Sequence, residues 1–415
     1  MIKQIVDPNG VISDKNTRHF IASGLGMLPL KDKRVLVIVP DNTRTMPLAM
    51  IYKVITETLE DITASLDFMV ALGTHPPLDD HQLSRLFGQE VRRNQIGKHK
   101  IFNHEWHNPA MLREVGVISG EKMVMLSEGR LSAPLPVRVN RHLFEYDHLI
   151  IFGPVFPHEV AGFSGGNKYF FPGVSGSEMI DATHWLGACL TNLAVNGAGY
   201  TPVRAVIDEA ASMIHLPKTC FALVLDKTGI AGIYSGTPEE AWQAASELSA
   251  ERHIARTGRT YKKVIAILPE MYQELWVGGK GMYKLEPVVA DGGEIILYAP
   301  HLKTISATHG KIIMEIGYHV LDYFQMQWER FKHYPPCVLA HSTHVRGLGI
   351  YNERTQQEYP RISVTLATGI PEEVCRRINL GYMDPTGIDI GEWVGREDEG
   401  ILVVRDAGET LFKVK

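Results

Sequence analysis

Cysteine is scarce and scattered in this chain. The four cysteines, Cys189, Cys220, Cys337 and Cys375, include no CxxC pair. That excludes a zinc ribbon and a disulfide frame and leaves reduced, cytosolic thiols as the expectation. Basic runs are missing as well, and the formal net charge is −5, which argues against a nucleic-acid partner. No apolar run approaches the ~18 residues of a membrane span. The opening MIKQIVDPNG lacks the apolar core of a secretory leader. The expectation is a cytoplasmic protein with neither membrane nor nucleic acid as partner. A Walker A loop is absent too. That motif requires G-x-x-x-x-G-K-[ST], whereas in GFSGGNKY Asn167 precedes Lys168 and Tyr169 follows it. There is no internal repeat and no low-complexity segment.

What is present is the make-up of a globular enzyme. Hydrophobic residues are 45% and charged residues 21% of 415, a length that predicts more than one core. The fold class read from the pattern is α/β, with two α/β domains, mainly parallel sheets and an active-site cleft between them. Residues 1–258 form the first domain, 259–398 a second that closes over the substrate, and 399–415 are placed back on the first. Short apolar runs at 34–40, 66–72 and 148–153 read as buried parallel strands. Further strands are read at 262 onward, 294–299 and 337–341, and a hairpin-like pair at 401–404 and 410–414. Helices are read at 47–62, 178–185, 205–214, 238–257 and 316–331. His104 and His107 are read as loop residues without a metal-like partner.

Polar groups gather where the first-half strands end, which is where open α/β sheets bind ligands. Asp41-Asn42-Thr43-Arg44 follow the strand at 34–40. An N-cap would explain Asp41, Asn42 or Thr43 but not Arg44, whose guanidinium suits a carboxylate or phosphate. Gly73-Thr74-His75 follow the next strand, and His158 follows the strand at 148–153. The glycines of GFSGGNK let backbone approach something closely. Lys168 is then either a structural loop lysine paired with a carboxylate or a chemical group whose burial frees a neutral amine. His184 lies on the helix beyond, and Lys280 sits in a second glycine-rich loop, WVGGKG.

Taken together, these motifs resemble those of the nickel-pincer-dependent lactate racemase family. The shared features are the Asp41, Thr43, Arg44 strand end, the Gly73-Thr74-His75 strand end, His158, the AGFSGGNK loop ending in Lys168, and His184. The likeness is strongest between residues 35 and 190. The resemblance implies a pyridinium-3-thioamide-5-thiocarboxylic acid mononucleotide carrying nickel, tethered covalently to Lys168. It implies His184 as the nickel ligand and His75 and His158 as the catalytic acid–base pair. Arg44 and Lys280 bind the substrate carboxylate, and Lys168, Asp41, Thr43, Gly165 and Gly166 bind the cofactor. The implied partners are a small 2-hydroxy acid and the proteins that make the cofactor and insert its nickel. The implied reaction is inversion at C2 through transfer of a hydride to the cofactor and back.

The chain also departs from the lactate-specific pattern. Val277 stands where the family commonly has a glutamine, and Pro76 follows His75 where an arginine is common. A D-Q-W stretch is not intact, and either Asp322-Tyr323-Phe324 or Met326-Gln327-Trp328 holds its place. Gly278 and Gly279 are expected to make room for a longer chain, and His301, His341 and His344 either face the cleft or lie at far strand ends. The expectation is a racemase or epimerase of lactate or, better, of a larger 2-hydroxy acid. The alternatives are an ordinary nucleotide-dependent enzyme with a phosphate-binding loop and a non-catalytic binder of the cofactor or of a hydroxy acid.

Overall fold

The segment RVLVIVP at Arg34–Pro40 carries apolar side chains on both faces, and Val35, Leu36, Val37, Ile38 and Val39 are all fully buried. A strand of that kind is stable only with neighbours on both edges and cover on both faces. The protein's structure, a computed structural model that describes residues 2–7 and 10–415, provides both. Met1, Pro8 and Asn9 of the opening stretch lie outside the described residues. Arg34–Pro40 sits inside an eight-stranded sheet. In spatial order the strands are Lys3–Val6, Gly229–Gly236, Lys218–Asp226, His148–Pro154, Arg34–Pro40, Ser65–Ala71, His99–Asn103 and Gln95–Ile96. From Lys218–Asp226 to His99–Asn103 every pairing is parallel, and the outer pairings are antiparallel. The register sets Pro40 level with Ala71 and Ile38 level with Ile151. The loops after these three strands therefore leave the sheet at one edge. Helix Leu48–Leu59 packs on the sheet through Ile51, Tyr52, Ile55 and Leu59 at helical spacing.

A second sheet is five-stranded and parallel throughout, in the order Gly381–Tyr382, Ser363–Thr368, Val289–Ala299, Tyr261–Ile267, Ile401–Val404. The chain divides into two compact units around these sheets. Unit 1 comprises Met1–Phe156, Phe163–Ile180 and Gly199–Arg252, and unit 2 comprises Pro157–Gly162, Asp181–Ala198 and His253–Lys415. The single boundary expected after residue 258 is thus replaced by a division at Arg252 and two excursions of the first half into unit 2. Hydrogen bonds explain the longer excursion. Asn192 donates to Tyr283 O at 2.7 Å and to Glu286 Oε2 at 3.0 Å, and the Asp181 carboxylate accepts from Cys337 N at 3.0 Å.

Several elements differ from expectation, each for a local reason. Residues 337–341 are not a strand but part of helix Pro336–Arg346. Pro336 at its first turn and Gly347 at φ 81° after its end are ordinary helix punctuation. The apolar CVLA run reflects a helix buried on all sides, which leaves the same trace as a buried strand. The helix expected at 316–331 is broken, because Gly317 at φ 73° ends Gly310–Ile316 before Leu321–Met326 and Trp328–Phe331 begin. The helix from Pro238 stops at His253, since Ile254–Thr257 pairs in parallel with Leu411–Val414. Residues 401–404 and 410–414 therefore form no hairpin. The first run pairs with Tyr261–Ile267, the second with Ile254–Thr257, and both belong to unit 2 rather than unit 1.

Candidate active site

The loop after Arg34–Pro40 folds around one carboxylate. Asp41 is 4% exposed, and its Oδ1 accepts from Thr43 N at 3.0 Å and from Thr43 Oγ1 at 2.6 Å. This is an Asx turn, in which a side chain replaces a backbone acceptor. The other oxygen, Oδ2, is taken by His75 Nδ1. Burial alone would push the Asp41 carboxyl up, but the His75 ring, Arg44 and the Thr43 hydroxyl together hold it well below the usual carboxylate range. With Nδ1 committed to a carboxylate, the ring presents Nε2 for proton transfer. Asp41 was assigned above to the cofactor, and within unit 1 its visible partners are His75 and Thr43. Arg44 Cζ lies 4.8 Å from the Phe156 ring centroid, just past the end of His148–Pro154. Asp41, Thr43, Arg44 and His75 are thus neighbours because their strands are.

The lysine loop joins the same edge. Gly73, at φ 56°, donates its N–H to Gly173 O at 2.9 Å, which ties the His75 turn to the chain after Lys168. The loop is clamped from beneath. Arg204, 1% exposed, donates to Phe163 O at 2.7 Å and Gly165 O at 3.2 Å, and its guanidinium lies 4.0 Å from the Trp242 ring. Trp242 Nε1 donates to Ser164 O at 3.0 Å, and Asn167 Nδ2 donates to Asp208 at 2.9 Å and Glu239 at 2.5 Å. Gly165 and Gly166 have φ 87° and 58°. A Cβ on the first would meet Val155 Cγ2 at 2.5 Å, and one on the second would meet Trp242 Cβ at 2.7 Å. The close approach these glycines permit is therefore to the chain's own side chains. Lys168 stands in the short 3₁₀ turn Gly166–Tyr169, half-buried, on a base with few ways to move.

His158, His184 and Lys280 belong to unit 2. His158 is 7% exposed, and its Nδ1 accepts from Val160 N at 3.1 Å, which leaves the proton of a neutral ring on Nε2. Glu159 approaches the same ring at 3.5 Å. His184 lies on helix Ser177–Leu190, with Thr183 Oγ1 3.4 Å from its Nδ1. Lys280 opens the short helix Lys280–Tyr283, and its ammonium sits 5.0 Å from the Tyr272 ring centroid. Gly278 and Gly279 do not open space for a ligand. A Cβ on Gly278 would meet Leu302 and Leu268, and one on Gly279 would meet Val345 at 2.8 Å and His341 Cε1 at 3.3 Å.

Sequence reasoning missed an aromatic stack beside Lys280. The Trp276 ring lies 3.9 Å from that of His341 and 4.5 Å from that of His309. Burial pushes His341 well below the usual histidine range, helped by His344, His309 and His184, so His184 shares its electrostatic surroundings. His344 is also pushed down, to about 4, by burial. These histidines lie on a helix and not at a strand end, which answers the earlier alternative, while His301 is tied to Tyr272 O at 3.1 Å. Neither candidate for the D-Q-W place keeps the whole pattern. Phe324 is core, whereas Trp328 stacks 5.5 Å from Trp185, the residue after His184. His104, read as a loop residue, is 1% exposed and knits Asn140 to Ser175 O. Among the described residues no group of three or more His, Cys, Asp or Glu is placed to hold a metal.

Known proteins bear on this geometry. The family model for the lactate racemase N-terminal domain matches residues 20–194. The lactate racemase of Thermoanaerobacterium thermosaccharolyticum is 23% identical over 273 residues, 64% of this chain and 60% of that protein. The lactate racemase of Lactiplantibacillus plantarum is 24% identical over 274 residues, 64% of this chain and 59% of that protein. The match thus spans about three-fifths of the length of these curated relatives. A Thermotoga maritima protein of known crystal structure is 31% identical, with TM-score 0.90 over 99% of this chain and 100% of that one. The T. thermosaccharolyticum lactate racemase apoprotein superposes with TM-score 0.71 at 17% identity, over 97% and 93% of the two chains, a likeness of fold.

Proposed function

We propose, from the premise that the chain belongs to a lactate racemase-like family, that it is an isomerase inverting C2 of a 2-hydroxy acid. The observation that carries this reading is the Asp41–His75 pair. A buried, ionised carboxylate fixes one ring nitrogen of a histidine beside an arginine at the ligand-binding edge of a parallel sheet. That is the arrangement of an oriented general base next to a carboxylate anchor.

Lys168 and His184 are the residues that would hold a tethered nickel-pincer nucleotide. Were the nucleotide bound, His184 on helix Ser177–Leu190 would hold its nickel, since an imidazole suits that metal. Lys168 offers the amine for the tether, on a loop clamped by Arg204, Trp242 and Asn167. When bound, the nucleotide supplies a hydride acceptor, which spares the reaction a carbanion at C2. The chain does the rest. Arg44 and Lys280 bind the carboxylate and keep C2 in place through both halves of the reaction. His75 Nε2 takes the hydroxyl proton from one enantiomer. His158 is the paired acid–base group that returns a proton to the re-forming hydroxyl, and the roles exchange for the opposite enantiomer. Val277, apolar where the family commonly has glutamine, supports a substrate other than lactate and larger than it. The proteins that build the nucleotide and insert nickel are the proposed partners.

The test is reconstitution with the nickel nucleotide, followed by chiral chromatography of a panel of 2-hydroxy acids. Inversion at C2 without wash-in of solvent deuterium at that carbon is the expected result. Absence of inversion across lactate and four- to six-carbon hydroxy acids, in protein shown by mass to be loaded, rejects the reading.

A further inference from the structure

We propose that the Trp276–His341–His309 stack is the specificity surface of this site, and that it selects a 2-hydroxy acid whose carbon chain carries further hydroxyl groups. The inference rests on the reading of the protein as a 2-hydroxy acid racemase or epimerase, and it adds the substrate class. Its basis is a set of contacts that the proposed chemistry does not use.

The first is where the stack stands. Leu275–Gly278 and Lys280–Tyr283 run on through Gly279, whose angles are helical at φ −52° and ψ −23° and whose N–H bonds Leu275 O at 2.8 Å. Trp276 and Lys280 are therefore i, i+4 neighbours on one helical face. His341 reaches the same helix where Gly279 lacks a side chain, its Cε1 3.3 Å from the place a Cβ would take. His184 is among the groups whose charge His341 feels. The stack thus adjoins the proposed carboxylate anchor, with the proposed metal ligand within electrostatic reach of His341.

The second is that the buried His341 imidazole is held by a long hydrogen bond. His341 is 8% exposed and Tyr318 is fully buried, yet Tyr318 Oη stands 3.5 Å from His341 Nε2. Ordinary hydrogen bonds from these groups are several tenths of an ångström shorter, so a ligand hydroxyl at normal distance would hold the imidazole better than Tyr318 does. The rings of Trp276 and His341 are 29° from parallel, which fixes the imidazole edge and limits its freedom to find another partner.

The chemistry then chooses the ligand. An indole face covers the C–H side of a carbon chain. A neutral imidazole offers one N–H and one bare nitrogen, and a hydroxyl likewise donates and accepts. An unsubstituted alkyl chain would use the indole alone and strand the imidazole. A second carboxylate calls for a guanidinium or ammonium rather than an uncharged ring. The methyl of lactate offers the stack no hydroxyl to bind.

The experiment compares a polyhydroxy six-carbon 2-hydroxy acid, its 2-hydroxyhexanoate analogue and a dicarboxylic 2-hydroxy acid. Two readouts are kcat/KM of the nickel-loaded enzyme and binding to the cofactor-free protein by calorimetry. Wild type should favour the polyhydroxy acid over the alkyl analogue by about tenfold or more, the scale on which a site built for a hydroxyl rejects its absence. His341→Leu should collapse that ratio toward one in both readouts, while His341→Gln, which keeps a donor and an acceptor, should recover part of it. Circular dichroism melts confirm that each variant is folded. Preference for the alkyl or dicarboxylic acid, or a His341→Leu variant that keeps the wild-type ratio, overturns the proposal. If the cofactor-free protein shows the binding preference while the loaded enzyme inverts nothing, the substrate class stands and the racemase reading falls.

Discussion

At the scale of single residues the site reduces to a few side chains whose partners decide their chemistry. Asp41 controls His75, so Asp41→Asn should lower the rate of inversion roughly tenfold or more, because an amide can present the wrong atom to Nδ1 and leave the ring in the wrong tautomer. His75→Ala and His158→Ala should each cost on the order of 10²-fold or more. Steady-state kinetics on loaded protein measures all three, and near-wild-type rates in both histidine variants would remove the proton-transfer assignment. Lys168→Ala should yield folded protein that carries no covalent cofactor mass after reconstitution. Retained mass on that variant would place the tether elsewhere. Acid sensitivity is also a residue property. His104 and His344 are each held at about 4 in the folded chain, against an ordinary 6.5. Below 6.5 the unfolded chain binds protons that the folded one refuses. The stability these neutral rings contribute is therefore present above 6.5 and lost as the pH falls toward 4, at up to about 1.4 kcal/mol per pH unit per group. Asp41 adds to the loss only below about pH 4, since its depressed carboxyl contributes fully above its unfolded value of 3.8 and progressively less beneath it. Denaturant midpoints between pH 7 and 4 check this, and a flat profile would contradict it.

At the scale of elements the lysine loop is a part whose form was visible only in outline. Its glycines suggested close approach without saying to what, and the structure shows close approach to Val155 and Trp242. That difference has a consequence. Gly166→Ala places a side chain at φ 58° with its Cβ 2.7 Å from Trp242 Cβ, so it should destabilise the protein by about 1–3 kcal/mol and slow cofactor attachment. Thermal melts and the mass of reconstituted protein measure both, and an unchanged melt would show that the loop yields. Helix Pro336–Arg346 teaches a related lesson. Its CVLA run was read as strand because a helix buried all round shows no amphipathic period, although Pro336 and Gly347 already marked its ends.

At the scale of the molecule the chain is two units that share sequence non-contiguously. Pro157–Gly162 and Asp181–Ala198 pack with the second unit although the first half encodes them. A fragment ending at Arg252 would leave Asn192 without Tyr283 and Glu286 and Asp181 without Cys337 N. It should therefore lack a cooperative thermal transition of wild-type sharpness, and a sharp, native-like melt from that fragment would show that the excursions are dispensable. Among the described residues no helix is long and apolar enough to cross a membrane.

The sequence by itself determined the α/β class, the strands read at 34–40, 66–72 and 148–153 to within a residue of their observed ends, and the polar residues that follow them. It could do so because a strand buried on both faces needs an unbroken apolar run, and because residues just beyond such a strand have no packing reason to be Asp, Arg or His. It also carried the ordered set of His75, His158, Lys168 and His184 on which the resemblance rested. Tertiary structure alone decided that Asp41 meets His75, since that contact depends on two strands being adjacent in a sheet, which strand sequences do not encode. It alone placed Trp276 beside His341 and His309, the first brought to it by a glycine without a Cβ and a helix that local pattern reads as a strand. Periodicity and punctuation act over a few residues and are legible in one dimension. Partners far apart in the chain are chosen by packing, and packing exists only once the chain has folded.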